Sequence, residues 1–319
     1  MRIDKAVEII SNKNIVGDYF ELKIKAGEIT QHCNPGQFFM ITAPGVFLRR
    51  PISIHSIEGS NICFLYKVIG QGTRSLSEMQ KGQLEILGAL GNGYLRENRE
   101  ERAVASSPIV SKFPFLPSPT REVEERDAKR GEGKAEVLSL SAPFFPVLIA
   151  GGTGIASLYF LSQRLSQKGI LYYGAKNKKD LLCLSKFKKL GWKVVIATED
   201  GSAGKKGFIT PLLEKDLQKM PPVYIYVCGP MPMIDTVIKI AKQYNLKGCA
   251  SLEEKMACAV GNCQGCAVKI DGQNKMVCKD GPVFDFDSNG FFSQVAQKDK
   301  TAMTTQGAQK RQKQKNRNL

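Results

Sequence analysis

Between Asp4 and Leu87 apolar and polar positions alternate in short runs with the two-residue period of half-buried strands. The runs are Ala6–Ile10, Tyr19–Ile24, Gln37–Thr42, Ile52–His55, Ile62–Val68 and Leu84–Leu87, separated by turn signals such as Asn34-Pro35-Gly36, Glu58-Gly59-Ser60 and Gly91-Asn92-Gly93. Six short strands at this spacing predict a small antiparallel barrel. Gly72–Gln80 is its one expected helix.

After Pro146 the period changes. Strands at Val147–Ala150, Ile170–Tyr173, Val194–Thr198 and Val223–Cys228 alternate with helices at Gly154–Gln167, Asp180–Lys189, Ile209–Lys219 and Pro230–Gln243. Alternation of this kind requires right-handed crossovers and predicts a doubly wound parallel sheet of the nucleotide-binding type. A cysteine-rich window from Glu253 to about Asp287 follows.

Between these parts no apolar period persists. Residues 97–142 hold charged clusters and Pro108, Pro114, Pro117 and Pro119, and read as an inserted, disordered surface segment, with a partly helical arm as the alternative. The expected organisation is a barrel over 1–96, the insertion over 97–142, an α/β domain over 143–250, a cysteine module over 251–290 and a polar, basic tail over 291–319.

Composition narrows the function classes. The 319 residues include 42% apolar and 24% charged positions, without an apolar run of membrane-spanning length. The N-terminus lacks the apolar core of a signal peptide, so a cytoplasmic protein is expected. The net charge of +16 suggests nucleic acid, yet residues 298–319 alone carry seven Lys and Arg against one Asp. The rest is dispersed without interleaved aromatic side chains, and no nucleic-acid partner is expected.

Four of the nine cysteines carry the strongest chemical signal. Cys258, Cys263, Cys266 and Cys278 follow the spacing C-x4-C-x2-C-x11-C, which fits a plant-type [2Fe–2S] site. Gly261 and Gly265 permit the tight turns that aim amide groups at an anionic cluster. Structural zinc prefers two separated knuckles, and disulfides are disfavoured in a reducing compartment; zinc and unrelated buried thiols are the competing readings.

Two further segments have nucleotide-binding character. Arg50-Pro51-Ile52-Ser53 begins a strand with a cation suited to pyrophosphate and a hydroxyl suited to a flavin ring, and Gly70-Gln71-Gly72-Thr73 opens a helix whose free amides suit a second phosphate contact. Gly151-Gly152-Thr153-Gly154 joins a strand to a helix, without a ribose-binding acid about twenty residues on. A turn needed only for close packing is the plain alternative. Cys228-Gly229-Pro230 stands at the matching end of a later strand, where Cys228 and Thr153 are candidates to border a nicotinamide or flavin, although a lone cysteine is more often a small buried hydrophobe. His32 and His55 show no catalytic partner; His55 is expected to border the flavin strand or face solvent.

With Gly88–Gly93, Thr198–Ser202, Ser251–Cys258 and Val277–Phe284, these motifs resemble the ferredoxin–NADP reductase superfamily and, within it, the electron-transfer subunits of type B dihydroorotate dehydrogenase, over nearly all of Ala6 to Asp287 outside the insertion. The resemblance implies an FAD-binding barrel, an NAD-binding α/β domain and a [2Fe–2S] module, serving pyrimidine synthesis. It implies FAD contacts at Arg50, Pro51, Ile52, Ser53, Leu65, Tyr66, Lys67, Gly72 and Thr73. NAD contacts are expected at Gly151, Gly152, Thr153 and Gly154, and Cys258, Cys263, Cys266 and Cys278 are the implied cluster ligands. The implied partner is an FMN-containing subunit that oxidises dihydroorotate, two copies of each chain forming a heterotetramer, with electrons passing from FMN through the cluster and FAD to NAD⁺.

The insertion departs from the family's pattern, as do Asn262, Gln264 and Gly265 in the cysteine loop. A related iron–sulfur flavin reductase of sulfide or ferredoxin–NAD(P) metabolism is the nearest alternative. A zinc-stabilised nucleotide sensor is the alternative from another class. Lys176, Lys205 and Lys206 are placed to meet a 2′-phosphate or simply to be solvated, which leaves NADH against NADPH open.

Overall fold

The structure, a computed structural model, describes residues 3–95 and 144–287; the segment 97–142 and the tail 291–319 lie outside the described residues. The expected strands are present. β1 (Ile3–Val16), β2 (Tyr19–Lys25), β3 (Phe38–Ile41), β4 (Arg50–Glu58), β5 (Asn61–Lys67) and β6 (Gln83–Leu90) close an antiparallel barrel in the order β1-β2-β5-β4-β3-β6. Its interior is filled by Leu22, Ile24, Phe39, Ile54, Phe64 and Ile86, the inward positions of the alternation.

β1 is much longer than the run Ala6–Ile10. Residues 3–8 pair with β6, and the chain then passes a register shift between Ile9 and Ser11 to pair with β2. A bulge of this kind bends a strand across a barrel corner and changes the phase of its alternation. Beyond it the buried Asn12 donates to the carbonyls of Leu76 and Met79 at 2.7 and 3.0 Å and accepts from the Tyr66 hydroxyl at 3.1 Å. Those bonds anchor the end of α1 (Gln71–Glu78) on the barrel.

The second half is a seven-stranded sheet in the order β10-β9-β8-β7-β11-β12-β15. Its parallel strands are β7 (Phe145–Gly151), β8 (Ile170–Ala175), β9 (Lys193–Thr198), β10 (Lys205–Lys206), β11 (Val223–Cys228) and β12 (Lys247–Ser251). In β7, Val147 and Ile149 face one core while Leu148 and Ala150 face the other, so the sheet is covered on both sides. α2 (Ile155–Arg164) and α3 (Leu184–Lys189) cover one face, α4 (Thr210–Leu217) and α5 (Met231–Gln243) the other.

The helices of this half fall inside their expected bounds, the first two shorter by four residues each. The expected helix Asp180–Lys189 is reduced to α3 because Asn177 caps a single 3-10 turn at Lys178–Asp180, Asp180 is engaged by the barrel, and Cys183 takes a left-handed backbone (φ 60°). α2 stops at Arg164 rather than Gln167, where the Lys168 ammonium donates to the carbonyls of Ser162 and Leu165. Among the described residues no helix is long and apolar enough to cross a membrane.

The sheet is not wholly parallel. β15 (Val283–Phe286) returns antiparallel to β12, pairing Ser251 with Val283 and Gly248 with Phe286. The intervening chain carries the cysteine loop and the hairpin of β13 (Ala267–Ile270) and β14 (Gln273–Met276). The barrel grips that return: the Asn92 amide donates to the Gly281 carbonyl at 2.6 Å, and its side chain donates to the carbonyls of Asp280 and Lys279. Cys266, Cys278, Val268 and Val277 share one apolar core with Phe38 and Met40 of the barrel and Ile225 and Val227 of the sheet.

Candidate functional site

A cleft of about 800 Å³ runs over the carboxyl ends of the parallel strands. Doubly wound sheets bind ligands there, where the strand order reverses to either side of the first strand. Gly151, Gly152 and Thr153 of the glycine loop form its floor, Gly229 and Pro230 its β11 side, and Gly174–Lys176, Glu199 and Phe208 the far end. Tyr19 and Lys67 close it from the barrel, where the Tyr19 hydroxyl donates to Asp180 at 2.7 Å and the Lys67 ammonium lies 3.3 Å from the same carboxylate. The cleft is therefore bounded by both halves of the molecule.

Two glycines set the depth of this floor. A Cβ on Gly151 would meet the Pro230 ring at 2.6 Å, and one on Gly154 would stand 2.2 Å from the Cys228 carbonyl oxygen. The loop after β7 thus lies directly on the end of β11. Gly154 acts behind the cleft, through this packing.

Cys228 itself is turned away. It shares the inward face of β11 with Tyr224 and Tyr226, is buried, and interacts with the hydroxyls of Ser157, Ser251 and Tyr94; burial pushes its thiol up to about 12. Its neighbour Gly229 reaches the cleft, whereas the expected thiol does not line it.

A second cradle forms on the barrel. Arg49 is spent on Asp4 and Glu85, at 2.9 and 3.6 Å. Arg50 has no carboxylate partner among the described residues; it donates to the Leu48 carbonyl at 2.6 Å, and its guanidinium lies so close over Gly72 that a Cβ there would strike it. A cation over the open amides of a helix N-terminus is a receptor for an anionic group such as pyrophosphate. Ser53 is half-buried on the same strand.

The remaining expected flavin contacts play other parts. Ile52 is buried, Leu65 packs toward the sheet, Tyr66 points into the barrel, Lys67 bridges to Asp180, and Pro51 is exposed. The Thr73 hydroxyl accepts from the amides of Ile69 and Gly70 at 3.0 and 3.2 Å, building the turn. His55 is fully buried, so the solvent-facing alternative does not hold.

The four cysteines come together as two pairs. Cys258 interacts with Cys263 and Cys266 with Cys278, Cys258 also acts on Cys278, and among the described residues no three of these groups already converge as a metal cage. Backbone amides aim at sulfur throughout: Cys263 N–H donates to Cys258 Sγ and Cys278 N–H to Cys266 Sγ, both at 3.4 Å. Left-handed residues Ala259, Gly261 and Gln264 turn the loop inward to make this possible. Amide donation from Cys263 and Val260 brings the Cys258 thiol down to about 6, while burial, then crowding by Cys266, pushes Cys278 up to about 12. Four thiols on one loop and its return, with backbone amides aimed at sulfur, suit an anionic iron–sulfur group held by thiolates.

Glu199, Phe208 and Glu253, outside the motifs expected to bind nucleotide, also line the cleft. Glu199 falls within the Thr198–Ser202 run, at the end of β9 rather than of β8 where a ribose acid is sought. Phe208 carries a clearer signal, an aromatic residue 71% exposed between a glycine turn and a helix start.

Comparison with known proteins agrees with this geometry. Residues 253–288 match the iron–sulfur cluster binding domain of dihydroorotate dehydrogenase B, and residues 148–239 match the oxidoreductase NAD-binding domain. The dihydroorotate dehydrogenase B (NAD⁺) electron transfer subunit of Caldanaerobacter subterraneus subsp. tengcongensis is 33% identical over 290 residues, covering 89% of this chain and 97% of the relative. That of Listeria monocytogenes is 32% identical, covering 88% and 96%. In fold the chain is similar to a chain from the solved structure of an NADH-dependent reduced ferredoxin–NADP oxidoreductase, with TM-score 0.68 and 23% identity over 95% of this chain and 97% of that one. It is also similar to a ferredoxin–NADP⁺ reductase from Neisseria gonorrhoeae, with TM-score 0.52 and 17% identity over 74% and 89%.

Proposed function

Because the chain belongs to the family of dihydroorotate dehydrogenase B electron transfer subunits, we propose that it accepts electrons from an FMN-containing, dihydroorotate-oxidising partner in the cytoplasm and delivers them to NAD⁺. It is an oxidoreductase subunit for FAD, a [2Fe–2S] cluster and NAD, and it acts in pyrimidine biosynthesis. A heterotetramer with two copies of each chain is the assembly we propose. The observation that carries the reading is the return of β15 to β12, which fixes the cysteine loop to the same sheet whose strand ends floor the cleft.

The residues divide the work by position. Arg50 and the open amides of Gln71 and Gly72 hold the flavin pyrophosphate, with Ser53 toward the ring. The loop Gly151–Gly154 brings its amides to the dinucleotide pyrophosphate, and Gly229, whose Cβ would strike Met233 and the Gly151 backbone, lets the end of β11 close up against that loop at the edge of the cleft. Cys258, Cys263, Cys266 and Cys278 hold the cluster, their sulfurs stabilised by the surrounding amides. Bound in these places, the cofactors supply hydride exchange with the nicotinamide and single-electron exchange with the partner. That chemistry asks no acid or base of the protein, whose part is to hold the cofactors in position.

At the far end of the cleft Phe208 offers its exposed face to the adenine, and Glu199 accepts from the ribose hydroxyls and opposes a 2′-phosphate. Glu199→Gln should therefore raise activity with NADP⁺ relative to NAD⁺ by about tenfold or more, about 1.4 kcal/mol. Phe208→Ala should raise the KM for NADH several-fold with little change in kcat. Steady-state kinetics with both dinucleotides check these outcomes.

The functional test is co-expression with the FMN-containing dihydroorotate dehydrogenase of the same genome. A stable complex with flavin and iron–sulfur absorption and dihydroorotate-dependent NAD⁺ reduction is expected. Separate elution without NAD⁺ reduction, or stoichiometric zinc in place of flavin and iron, overturns the reading.

A further inference from the structure

His55 is a buried titratable residue that none of these sites uses. It lies on β4, two residues beyond Ser53, at the seam where β4 packs on α2. Its Nδ1 is 3.0 Å from the carbonyl oxygen of Ala156, in the first turn of α2 directly after the glycine loop. A carbonyl oxygen only accepts, so Nδ1 carries the proton and Nε2 is left as an acceptor. The Cys183 thiol, 3.8 Å from Nε2, is the matching donor. The imidazole also stacks on Tyr159 at 4.8 Å, and Tyr159 meets Phe187 of α3 nearly edge-on at 5.4 Å. One barrel side chain thus engages the backbone of α2, a ring of α2 and the residue that opens α3.

We propose that His55 is a positioning residue: as a neutral imidazole protonated at Nδ1, it fixes the strand bearing Arg50 and Ser53 against the helix that the glycine loop opens, and so sets the flavin-to-nicotinamide separation. The proposal rests on the flavin and dinucleotide sites assigned above. Hydride transfer needs the reacting atoms about 3–3.5 Å apart, and a displacement of about 1 Å can cost about 100-fold in rate. The seam between the two halves is where such a displacement arises.

The surroundings keep the ring neutral. Cys183, Tyr159 and the Lys186 ammonium face it from the α/β side, with Glu21 on β2 and Glu58 on β4. Both acids are already paired, Glu21 with Lys186 at 2.9 Å and Glu58 with Lys23 at 2.6 Å. Burial, reinforced by Lys186, brings the imidazole down to about 4. The unfolded chain binds this proton near pH 6.5, whereas the folded chain does not until about pH 4. Stability contributed at neutral pH is therefore lost as pH falls through that window.

The test compares His55→Asn, whose amide nitrogen still reaches the Ala156 carbonyl, with His55→Leu, which fills the space without either hydrogen bond. In FAD-replete complex, His55→Leu should slow flavin bleaching at saturating NADH by 10- to 100-fold with KM unchanged, and His55→Asn should stay within about threefold of wild type. Independently of activity, amide exchange should accelerate at residues 155–160 and 183–187 in His55→Leu only. The urea midpoint should fall between pH 6.5 and 4.5 in wild type and much less in either variant. Bleaching by His55→Leu within twofold of wild type, or equal exchange in all three proteins, overturns the proposal. If His55→Leu does not fold, His55→Met, which likewise lacks a donor for the Ala156 carbonyl, replaces it under the same expectations, and a wild-type rate there overturns it equally. If wild type is not bleached by NADH, the functional reading fails, while exchange and the pH comparison still decide the role of His55 at the seam.

Discussion

Gly154→Ala is expected to abolish dinucleotide-dependent activity and to lower stability by about 1–3 kcal/mol, the range for forcing an extra carbon into a close-packed site. The backbone at Gly154 is ordinary right-handed helix (φ −58°), so strain in its own conformation contributes nothing. The whole effect comes from the new Cβ, 2.2 Å from the Cys228 oxygen, 2.5 Å from its carbonyl carbon and 2.9 Å from the Gly229 nitrogen. All three are main-chain atoms of the end of β11, which no rotamer change relieves. The glycine loop and Gly229 must separate, and the cleft loses its floor. NADH titration of the flavin spectrum together with urea denaturation checks this; binding within threefold of wild type contradicts the assigned floor.

The second large effect is expected at the cysteines. Cys278→Ser should remove iron and its visible absorption and reduce dihydroorotate-linked NAD⁺ reduction by at least about 100-fold, while FAD content and NADH-driven flavin bleaching persist. That split follows from placement: the cysteine loop lies beyond β12, whereas the flavin cradle and the glycine loop belong to β4, α1 and β7. Position within the loop should also grade the effect on stability. Cys266 and Cys278 are buried in the core shared with the sheet, and Cys263 is exposed, so Cys263→Ser should lower the melting temperature least. Iron analysis, absorption spectra and melting curves of Cys263→Ser, Cys266→Ser and Cys278→Ser measure both effects; iron kept at the wild-type level in any of the three contradicts the ligand assignment.

The barrel was legible because period-two alternation and turn residues act locally, and the cluster because four thiols at fixed spacing have few other uses. What escaped was decided at a distance. Asp180 looked like the start of a helix until Tyr19 and Lys67, more than a hundred residues earlier, claimed its carboxylate. β15 has its partner at 247–251, a pairing that no local pattern announces. Cys228 is different, since strand alternation sets it on the face of Tyr224 and Tyr226, which packs under α2, while the cleft takes Gly229 beyond it. His55 lacked a visible partner because both of its partners, the Ala156 carbonyl and Cys183, lie in the other half of the molecule.

The antiparallel return of β15 has a bearing on synthesis. A growing chain that has reached Ser251 already holds every parallel strand, but β12 then presents an open edge able to pair with a neighbouring nascent chain. That edge closes only once residues 283–286 have emerged, by which point all four cysteines are outside the ribosome. Completion of the sheet therefore coincides with completion of the metal-binding loop, and a chain cut short after Cys278 would keep its thiols yet leave the edge free to aggregate.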